Sequence, residues 1–407
     1  MSKTNQNEMI VGLDIGTSKV AAIIAEVDES DEIEVIGVGF HASRGMKKGV
    51  VVDIESTVQS IQRAVEEAEL MADCQVHSVY AGVAGNHIKG MNSHGMVAIK
   101  DKNEVTLGDV ERVVDAAQAV AIPAEQAILH VLPQEFIIDQ QEGIREPVGM
   151  SGIRLDVKVH LVTAAESAIQ NIEKCVRRCG LEVDDVILEP LASSYGVLTD
   201  DERDLGVCLI DIGGGTTDIA VFTEGAIRHT AVIPIAGDQV TNDIAVALRT
   251  PTPQAEEIKL RHGGALAKQV DESEEIDVPG VGDRPGSRLS RHTLVSVIEP
   301  RFEELLGLVQ SELKHAGYLE LLGAGVVLTG GSAKTEGLAE LAEEIFQMPV
   351  RVGSPAKVKG LAEVVNNPVY STGVGLLIYG VKNRRGASAG SRSGGVIQRI
   401  KRWLNQL

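Results

Sequence analysis

Apolar residues cluster into strand-length runs, and one arrangement of these runs occurs twice along the chain. An apolar run ends at Asp14, a turn containing glycine follows, and a second run covers 20–27. The same order returns where a run ends at Asp211, a Gly-rich turn follows, and the next run covers 219–222. A third strand-like run follows each copy, at 33–40 and 227–235. Each copy therefore predicts a three-stranded antiparallel meander, and the duplication predicts two similar lobes that face each other.

The turn in each copy has the residue types of a phosphate-binding loop. Glycines let the backbone approach an anion closely, and successive N–H groups in a tight turn form a concave anion site. A Mg²⁺ ion held by Asp14 and Asp211, mainly through waters, would offset the repulsion between these carboxylates and a phosphate. A single copy is more typical of an ordinary hairpin turn, whereas the pair favours phosphate binding. The candidate phosphate contacts are Gly16, Thr17, Ser18, Gly213, Gly214, Gly215 and Thr216.

A third glycine pair is the candidate contact for a nucleoside. An apolar strand run leads into Gly330, Gly331 and Ser332. Glycines can lie flat against a purine or ribose where a side chain would clash, although such turns are also common in α/β folds without a ligand. Glu256 and Lys259 lie three residues apart on one predicted helix, which suits contacts with ribose hydroxyls and a base. Their alternative interpretation is a solvated ion pair.

Three predicted helices frame these turns. One helix is predicted at 334–346, after the third glycine turn. Pro190 favours a helix that starts at Glu189, and a second Gly-rich helix is predicted to start at Ser371. Small residues let two helices cross closely, so the last two helices are candidates for a hinge between the lobes. Tight packing without a hinge role is the alternative.

The segment between the two copies predicts an inserted unit. A strand at 78–83 is followed by a predicted helix at 107–120 and by strands at 127–138 and 152–162. After the second copy, residues 263–291 are rich in Gly, Pro and acidic residues, which predicts a solvated, mobile loop.

Charge and hydropathy restrict the function classes. The 407 residues carry a net charge of −20, so most of the surface is expected to repel nucleic acid. The N-terminal residues lack the apolar core of a secretory signal, and no apolar run approaches the roughly 20 residues of a membrane span. Four cysteines without metal-ligand spacing predict no disulfide framework. We therefore expect a soluble cytosolic chain of two to three domains.

The last 26 residues differ from the rest of the chain. Residues 382–407 carry seven Lys or Arg and no acidic residue. The composition of residues 382–395 predicts a flexible basic linker. Residues 396–407 are predicted to form an amphipathic helix whose apolar residues occupy one arc of about 120° and which lies in a membrane interface. The apolar arc holds Val396, Ile397, Ile400, Trp403, Leu404 and Leu407, and the basic residues outside it are Arg399, Lys401 and Arg402. A helix docked on the core and a partner-binding peptide are the alternatives.

These motifs together resemble the actin, sugar-kinase and heat-shock-chaperone ATPase superfamily. Within it the chain resembles the FtsA family of actin-related bacterial cell-division proteins along almost its whole length. The segments that carry this closer resemblance are SRGMKKG at 43–49, HVLPQEF at 130–136, EGIREPVG at 142–149 and EPRFEEL at 299–305.

The resemblance implies an α/β fold with two actin-like lobes and mixed sheets flanked by helices. Subdomain 1C is inserted in place of the actin-type 1B, and the amphipathic helix follows the linker. The implied boundaries are 1–83 and 163–203 for subdomain 1A, 84–162 for 1C, 204–235 and 314–366 for 2A, 236–313 for 2B, 367–381 for the closing helix of 1A, 382–395 for the linker and 396–407 for the membrane-targeting helix.

The resemblance also implies roles for individual residues. Asp14 and Asp211 would organise Mg²⁺, while Glu189 and Asp218 match positions that orient the attacking water in hydrolysing relatives. Lys19 would offset phosphate charge, and Gly330, Gly331, Ser332, Glu256 and Lys259 would contact the nucleoside of ATP. Arg301 on subdomain 2B is the candidate contact for an acidic peptide, with an ordinary helix-surface charge as its alternative. At most a weak ATPase is expected, with nucleotide mainly controlling conformation and polymerisation.

The implied role is a cell-division scaffold. Such a protein polymerises, binds the C-terminal tail of FtsZ on subdomain 2B, tethers FtsZ filaments to anionic lipids and recruits later division proteins through 1C. It would be a peripheral protein on the cytoplasmic face of the inner membrane at the division septum. The alternative is a small-molecule or sugar kinase of the same superfamily. A chaperone-type ATPase would need a substrate-binding domain after the ATPase lobes.

Overall fold

The computed structural model describes residues 8–282 and 285–384, and the predicted linker beyond 384 and the membrane helix at 396–407 lie outside these residues. The first described elements form an antiparallel meander that is joined by a helix and a parallel strand. The elements are β1 (Glu8–Ile15), β2 (Lys19–Val27), β3 (Ile33–Ala42), β4 (Met46–Lys47), β5 (Val50–Val51), α1 (Ile54–Ala72) and β6 (Ser78–Val83). Helix α1 starts where the Asp53 side chain accepts hydrogen bonds from the N–H groups of Glu55 and Ser56.

A separate four-stranded sheet with one helix follows. Its elements are β7 (Lys89–Ala98), α2 (Leu107–Gln118), β8 (Gln126–Ile138), β9 (Gln141–Ile144) and β10 (Arg154–Ala165). The strand order is β7-β10-β8-β9, and α2 closes one face over its own apolar core. The predicted helix and strands are confirmed, although β10 runs three residues past the predicted boundary at 162. We refer to this unit as the inserted sheet.

The chain then returns to the first lobe and crosses to the second. The first of these elements are α3 (Glu166–Arg178), β11 (Glu182–Leu188), α4 (Glu189–Val197) and α5 (Asp200–Leu205). The second meander is β12 (Val207–Ile212), β13 (Thr217–Thr223) and β14 (Ala226–Ile233). Both predicted meanders are confirmed, because β1-β2-β3 and β12-β13-β14 pair antiparallel.

The second lobe continues with helices and a small hairpin. Its elements are α6 (Gly237–Leu248), α7 (Thr252–His262), β15 (Glu275–Val278), β16 (Ser287–Ser290), α8 (Arg291–His315), β17 (Val326–Thr329), α9 (Leu338–Phe346) and β18 (Val350–Val352). The loop over 263–291 that was predicted to be solvated and mobile contains a hairpin with buried residues. There β15 pairs with β16, and Ile276 and Val278 are buried because the hairpin packs its apolar side on the second-lobe core.

The predicted helix at 334–346 is also shorter than expected. A 3-10 turn covers Gly331–Lys334, and α9 starts only at Leu338. Gly337 adopts φ of +77°, a left-handed conformation that a continuous α-helix does not contain. The third glycine turn therefore continues into a second turn before the helix begins.

The described residues end in the first lobe with β19 (Lys359–Gly360), α10 (Ala362–Val365) and α11 (Ser371–Arg384). Strand β19 pairs with β3, so the chain is back in the first sheet earlier than the predicted boundary at 366. Helix α11 continues to Arg384, which places the first three residues of the predicted linker in the helix. The first sheet has the order β11-β6-β1-β2-β3-β19, and the second lobe has β14-β13-β12-β17-β18.

Helices α4 and α11 cross in close contact between the lobes. A Cβ atom on Gly375 would lie 1.8 Å from the carbonyl oxygen of Ala192, and one on Gly196 would lie 3.2 Å from that of Ser371. The small residues therefore allow the crossing that the sequence predicts. Among the described residues no helix is long and apolar enough to cross a membrane.

Candidate functional site

The two glycine loops contact each other across a cleft between the lobes. Ser18 Oγ in the first loop donates a hydrogen bond to Asp238 Oδ1, at 3.1 Å, at the start of α6. A Cβ atom on Gly214 would lie 1.7 Å from Ser18 Oγ, and one on Gly215 would lie 2.6 Å from Thr17 Oγ1. Only residues without side chains permit this approach, so the glycines of the second loop determine how closely the lobes meet.

The cleft has a volume of about 560 Å³, which is within the usual range for a small-molecule site. It brings together all of the residues that the sequence predicts to contact nucleotide or metal. These are Asp14, Gly16, Thr17, Ser18, Lys19, Glu189, Asp211, Gly213, Gly214, Gly215, Thr216, Asp218, Glu256, Lys259, Gly330, Gly331 and Ser332. Residues from both lobes therefore share one cavity.

Acidic side chains are concentrated at the base of the cleft. Asp211 and Asp218 are directly opposite each other in the pairing of β12 with β13, and Glu189 starts α4 beside them. Burial raises the pKa of Asp211 to about 6, although Ser193 Oγ donates a hydrogen bond of 2.6 Å to its carboxylate. Burial and then the charge of Asp211 raise the pKa of Asp218 to about 8. Burial, and to a smaller extent the negative charge of Asp14, raise the pKa of Glu189 well above its usual range.

One of these carboxyl groups, that of Asp218, lacks a protein donor for one of its oxygens in the part of the chain that the structure describes. Oδ1 of Asp218 is buried and has no hydrogen-bond partner among the described residues, while its Oδ2 accepts from Thr216 Oγ1 at 3.0 Å. Clustered buried carboxyl groups of this kind favour a bound cation. Within 8–282 and 285–384, no group of three or more His, Cys, Asp or Glu side chains is arranged to hold a metal by itself.

Lys19 is already engaged in the first lobe. Its Nζ atom lies 2.5 Å from Asp14 Oδ2 and 2.5 Å from the carbonyl oxygen of Val369. The same ammonium lies 6.0 Å from the centre of the Tyr370 ring. Lys19 therefore offsets the charge of Asp14 directly, and its contact with a phosphate remains a prediction.

The predicted nucleoside contacts lie on the second-lobe side of the cleft. Lys259 Nζ forms an ion pair with Glu256 at 2.7 Å and donates to Thr241 Oγ1 at 2.8 Å. Gly330 has φ of +85°, and a Cβ atom there would lie 2.4 Å from Asp211 Oδ1. Ser332 Oγ donates to the carbonyl oxygen of Gly213 at 3.0 Å, which connects the third glycine turn to the second loop.

Several cleft residues were not predicted from the sequence. Phe40 is 44% exposed and lies against Tyr370, with ring centres 6.5 Å apart. Arg291 donates to Glu274 at 3.1 Å and also pairs with Glu336. Neither residue belongs to a recognisable motif, and both reach the cleft only through the packing of distant segments.

Arg301 lies outside the cleft on α8. Its guanidinium donates to both carboxylate oxygens of Asp243, at 2.6 and 3.1 Å, and it also pairs with Glu304. The hydrogen bond to Asp243 raises the pKa of Arg301 above its usual range. Two neighbouring carboxylates therefore compensate its charge in this structure.

Comparisons with known proteins point to one family along almost the whole chain. The family model described as "Cell division protein FtsA" matches residues 208–375, and that described as "SHS2 domain inserted in FTSA" matches 85–163. The chain is 64% identical to cell division protein FtsA of Pseudomonas aeruginosa, with 99% of both chains covered. It is 51% identical to cell division protein FtsA of Escherichia coli K12, with 100% of both covered.

Solved structures show the fold. The chain is similar to the "PilM-PilN type IV pilus biogenesis complex", with a TM-score of 0.66, 18% identity, and coverage of 91% of this chain and 98% of that one. It is also similar to MreB5 of Spiroplasma citri bound to AMPPNP, with a TM-score of 0.59, 17% identity, and coverage of 94% and 99%. These likenesses confirm the predicted actin-like fold.

Proposed function

The chain belongs to the FtsA family of cell-division proteins, and on that premise we propose that it binds ATP and Mg²⁺, polymerises and links FtsZ filaments to the cytoplasmic membrane. The observation that carries the nucleotide part is the contact between two similar Asp–Gly loops across one cleft. The family assignment rests on relatives that match the whole chain, and it does not favour the sugar-kinase alternative.

The cleft residues fit a magnesium nucleotide. The N–H groups of the two glycine loops and the hydroxyls of Thr17, Ser18 and Thr216 would hold phosphates. Asp14 and Asp211 would hold Mg²⁺ through waters, and the metal would neutralise charge that burial makes costly. Gly330 and Gly331 leave space on the second-lobe side, where Glu256 and Lys259 would contact the nucleoside.

Nucleotide would act mainly on the relative position of the lobes. Both loops contribute donors to one ligand, so a bound polyphosphate favours the arrangement in which the loops are close together. Asp218 and Glu189 would orient the attacking water once a bound cation favours their ionised forms, and this would support slow hydrolysis at most. We infer that nucleotide favours the closed arrangement and that this arrangement favours contacts between subunits.

Partner binding is proposed on separate surfaces. The FtsZ tail would bind the 2B region, where an acidic peptide could exchange with Asp243 or Glu304 at the Arg301 guanidinium. Later division proteins would contact the inserted sheet. Residues 396–407 would lie in the anionic leaflet at the division site, on its cytoplasmic face, and polymerisation would add many weak tails into one firm attachment.

Asp211→Ala tests the nucleotide site. The variant removes a proposed metal ligand, so the affinity for Mg-ATP is expected to fall at least tenfold in titration calorimetry. Asp115→Ala removes an exposed carboxylate on α2 and is the charge-matched control. Unchanged Mg-ATP affinity in Asp211→Ala would remove this residue from the metal site. Asp211→Asn, which preserves the side-chain shape, separates loss of binding from loss of folding.

A further inference from the structure

Three cations converge at the end of α11, away from the nucleotide cleft. The guanidinium carbon of Arg203 lies 5.1 Å from the centre of the Tyr195 ring, and Lys382 Nζ lies 4.9 Å from the same centre. Lys357 is near enough that its charge lowers the pKa of Lys382, after the larger effects of burial and Arg203. We refer to Arg203, Lys357 and Lys382 as the Tyr195 cation cluster.

Neutral groups hold the cluster in place. Arg203 Nη2 donates to the carbonyl oxygen of Ser194 at 2.7 Å, and the guanidinium carbon lies 5.2 Å from the centre of the Phe222 ring. Lys357 Nζ donates to the carbonyl oxygen of Leu198 at 3.0 Å. The three side chains are therefore positioned without using a carboxylate.

The cluster also has unused donors. Nε of Arg203 is buried and has no acceptor among the described residues. The nearby carboxylate of Glu202 is bonded to Arg351, at 2.6 and 2.8 Å, and Asp200 acts on the cluster only at a distance. Within 8–282 and 285–384 none of the three cations forms an ion pair, although the whole chain carries a net charge of −20.

This arrangement is electrostatically unfavourable as it stands. Burial, and then the charge of Arg203, lower the pKa of both Lys357 and Lys382. Positive charges that are partly removed from water and close to one another destabilise a fold unless an anion compensates them. A cluster that is held in position by neutral groups and lacks its own anion has the properties of a binding site.

A cavity adjoins the cluster. It has a volume of about 180 Å³, room for several water molecules, and Arg203, Lys382 and Tyr195 form part of its lining. Asp185 on another wall accepts a hydrogen bond of 3.1 Å from the Tyr379 hydroxyl. None of the residues that line this cavity lines the nucleotide cleft.

We propose that the Tyr195 cation cluster binds the phosphate group of a small phosphate ester, free or as the headgroup of an anionic phospholipid. The planar donors of Arg203 and the ammonium group of Lys382, which line the cavity, suit phosphate oxygens. Lys357, which lines a neighbouring cavity together with Lys382, adds positive charge beside them. The carboxylate of Asp185 suits a hydroxyl group on the same ligand. A glycerol phosphate has both features.

The position of the site gives it a structural consequence. Lys382 lies in the last turn of α11, which ends at Arg384, immediately before residues 385–407. A bound phosphate would therefore contact the folded chain at the point from which the predicted basic linker continues. Binding there does not depend on the proposed nucleotide function.

The first test uses sn-glycerol 3-phosphate and the full chain in titration calorimetry. The double variant Lys357→Gln/Lys382→Gln is expected to weaken binding at least tenfold, while Lys174→Gln, an exposed lysine on α3, leaves it unchanged. Lys357 and Lys382 are only partly buried and form no ion pair among the described residues, so the double variant is expected to fold. Equal affinity in the double variant and the control, or no binding by the wild-type chain, would overturn the proposal.

A second arm identifies the source of the phosphate. Full chain is sedimented with phosphatidylglycerol vesicles and with phosphatidylcholine vesicles, with and without soluble glycerol phosphate. A lipid headgroup is the ligand if the double variant loses more vesicle binding than Lys174→Gln and soluble glycerol phosphate competes. A soluble ester is the ligand if the double variant loses only the binding measured by calorimetry.

Discussion

Buried carboxyl groups in the cleft lower the stability of the fold and at the same time favour the binding of a ligand. Asp211 and Asp218 face each other across β12 and β13, and burial raises the pKa of both. Removing such groups from water is costly unless a cation compensates them. Lys19 supplies one positive charge, but its ammonium is bonded to Asp14 and Val369. The remaining negative charge is therefore a reason for the cleft to bind a cation, the role proposed for Mg²⁺.

The His160 side chain connects the inserted sheet to the second lobe through hydrogen bonds. Its Nδ1 lies 2.7 Å from Asn92 Oδ1, and its Nε2 lies 2.8 Å from Thr230 Oγ1. The amide oxygen of Asn92 can only accept a hydrogen bond, so the neutral ring donates one to it through Nδ1. Its Nε2 then accepts a hydrogen bond from the Thr230 hydroxyl. Burial, and then His229, lower the pKa of His160 to about 3.

This depressed pKa predicts a loss of stability in acid. The pKa of a histidine in the unfolded chain is about 6.5, so below that pH the unfolded chain binds a proton at this site that the folded chain does not. The free energy of unfolding therefore decreases as the pH is lowered from about 6.5 to about 3. At about pH 5 the free energy of unfolding is expected to be lower by about 2 kcal/mol than at neutral pH because of this group. Replacing His160 with Gln is expected to remove that part of the pH dependence in denaturant unfolding.

His77→Gln is the control, since His77 is exposed and replacing it is expected to leave the wild-type pH dependence in place. The same slope of unfolding free energy against pH in His160→Gln and in wild type would contradict a buried neutral His160.

At the scale of elements, the crossing of α4 and α11 determines how the lobes are joined. A Cβ atom on Gly375 would overlap the Ala192 carbonyl, at 1.8 Å, so Gly375→Ala must push the two helices apart. We expect a loss of about 2–3 kcal/mol in the free energy of unfolding, from overpacking at a site without space. Weaker Mg-ATP binding is expected with it, because the helices position both halves of the cleft.

Gly307→Ala is the matched control for that change. Gly307 lies within α8, and a Cβ atom there would meet nothing within 4 Å. Alanine in a helix interior is expected to increase stability by about 0.5–1 kcal/mol. Similar unfolding free energies for the two variants would show that the close crossing does not constrain the fold.

Element types were predictable where local pattern and packing agree. The two meanders and the starts of α4 and α11 follow from apolar runs, turn residues and Pro190, which act within a few residues of each other. The β15–β16 hairpin was missed because its charged surface resembles a solvated loop, while only Ile276, Val278 and the half-buried Leu289 face the core. The short start of α9 depends on the φ of Gly337, which composition does not reveal.

Contacts across the whole molecule could not be predicted from the sequence. The hydrogen bond from Ser18 to Asp238 and the link from His160 to Thr230 join residues 220 and 70 positions apart. No periodicity encodes such pairs. The residues of the nucleotide cleft could be proposed because the glycine motif is duplicated, whereas Phe40, Arg291 and the Tyr195 cation cluster depend on tertiary packing.

The inserted sheet extends the first lobe so that it touches the second. Besides His160, Gln134 donates to the Ile227 carbonyl at 2.9 Å, and Asn92 donates to that of Arg228 at 3.1 Å. These bonds reach β14, the edge strand of the second sheet. A rotation between the lobes therefore has to break these bonds or move the inserted sheet, which couples the cleft to a surface outside it.

The most direct test of the scaffold function is sedimentation of the full chain with anionic vesicles, with and without Mg-ATP. Nucleotide-dependent polymerisation is expected to increase the pelleted fraction, and Trp403→Asp is expected to abolish pelleting with vesicles. Leu70→Asp, at an exposed position on α1, introduces the same charge and should pellet like wild type. Protein that stays in the supernatant under all conditions, or pelleting that Trp403→Asp does not change, would contradict attachment through the C-terminal helix.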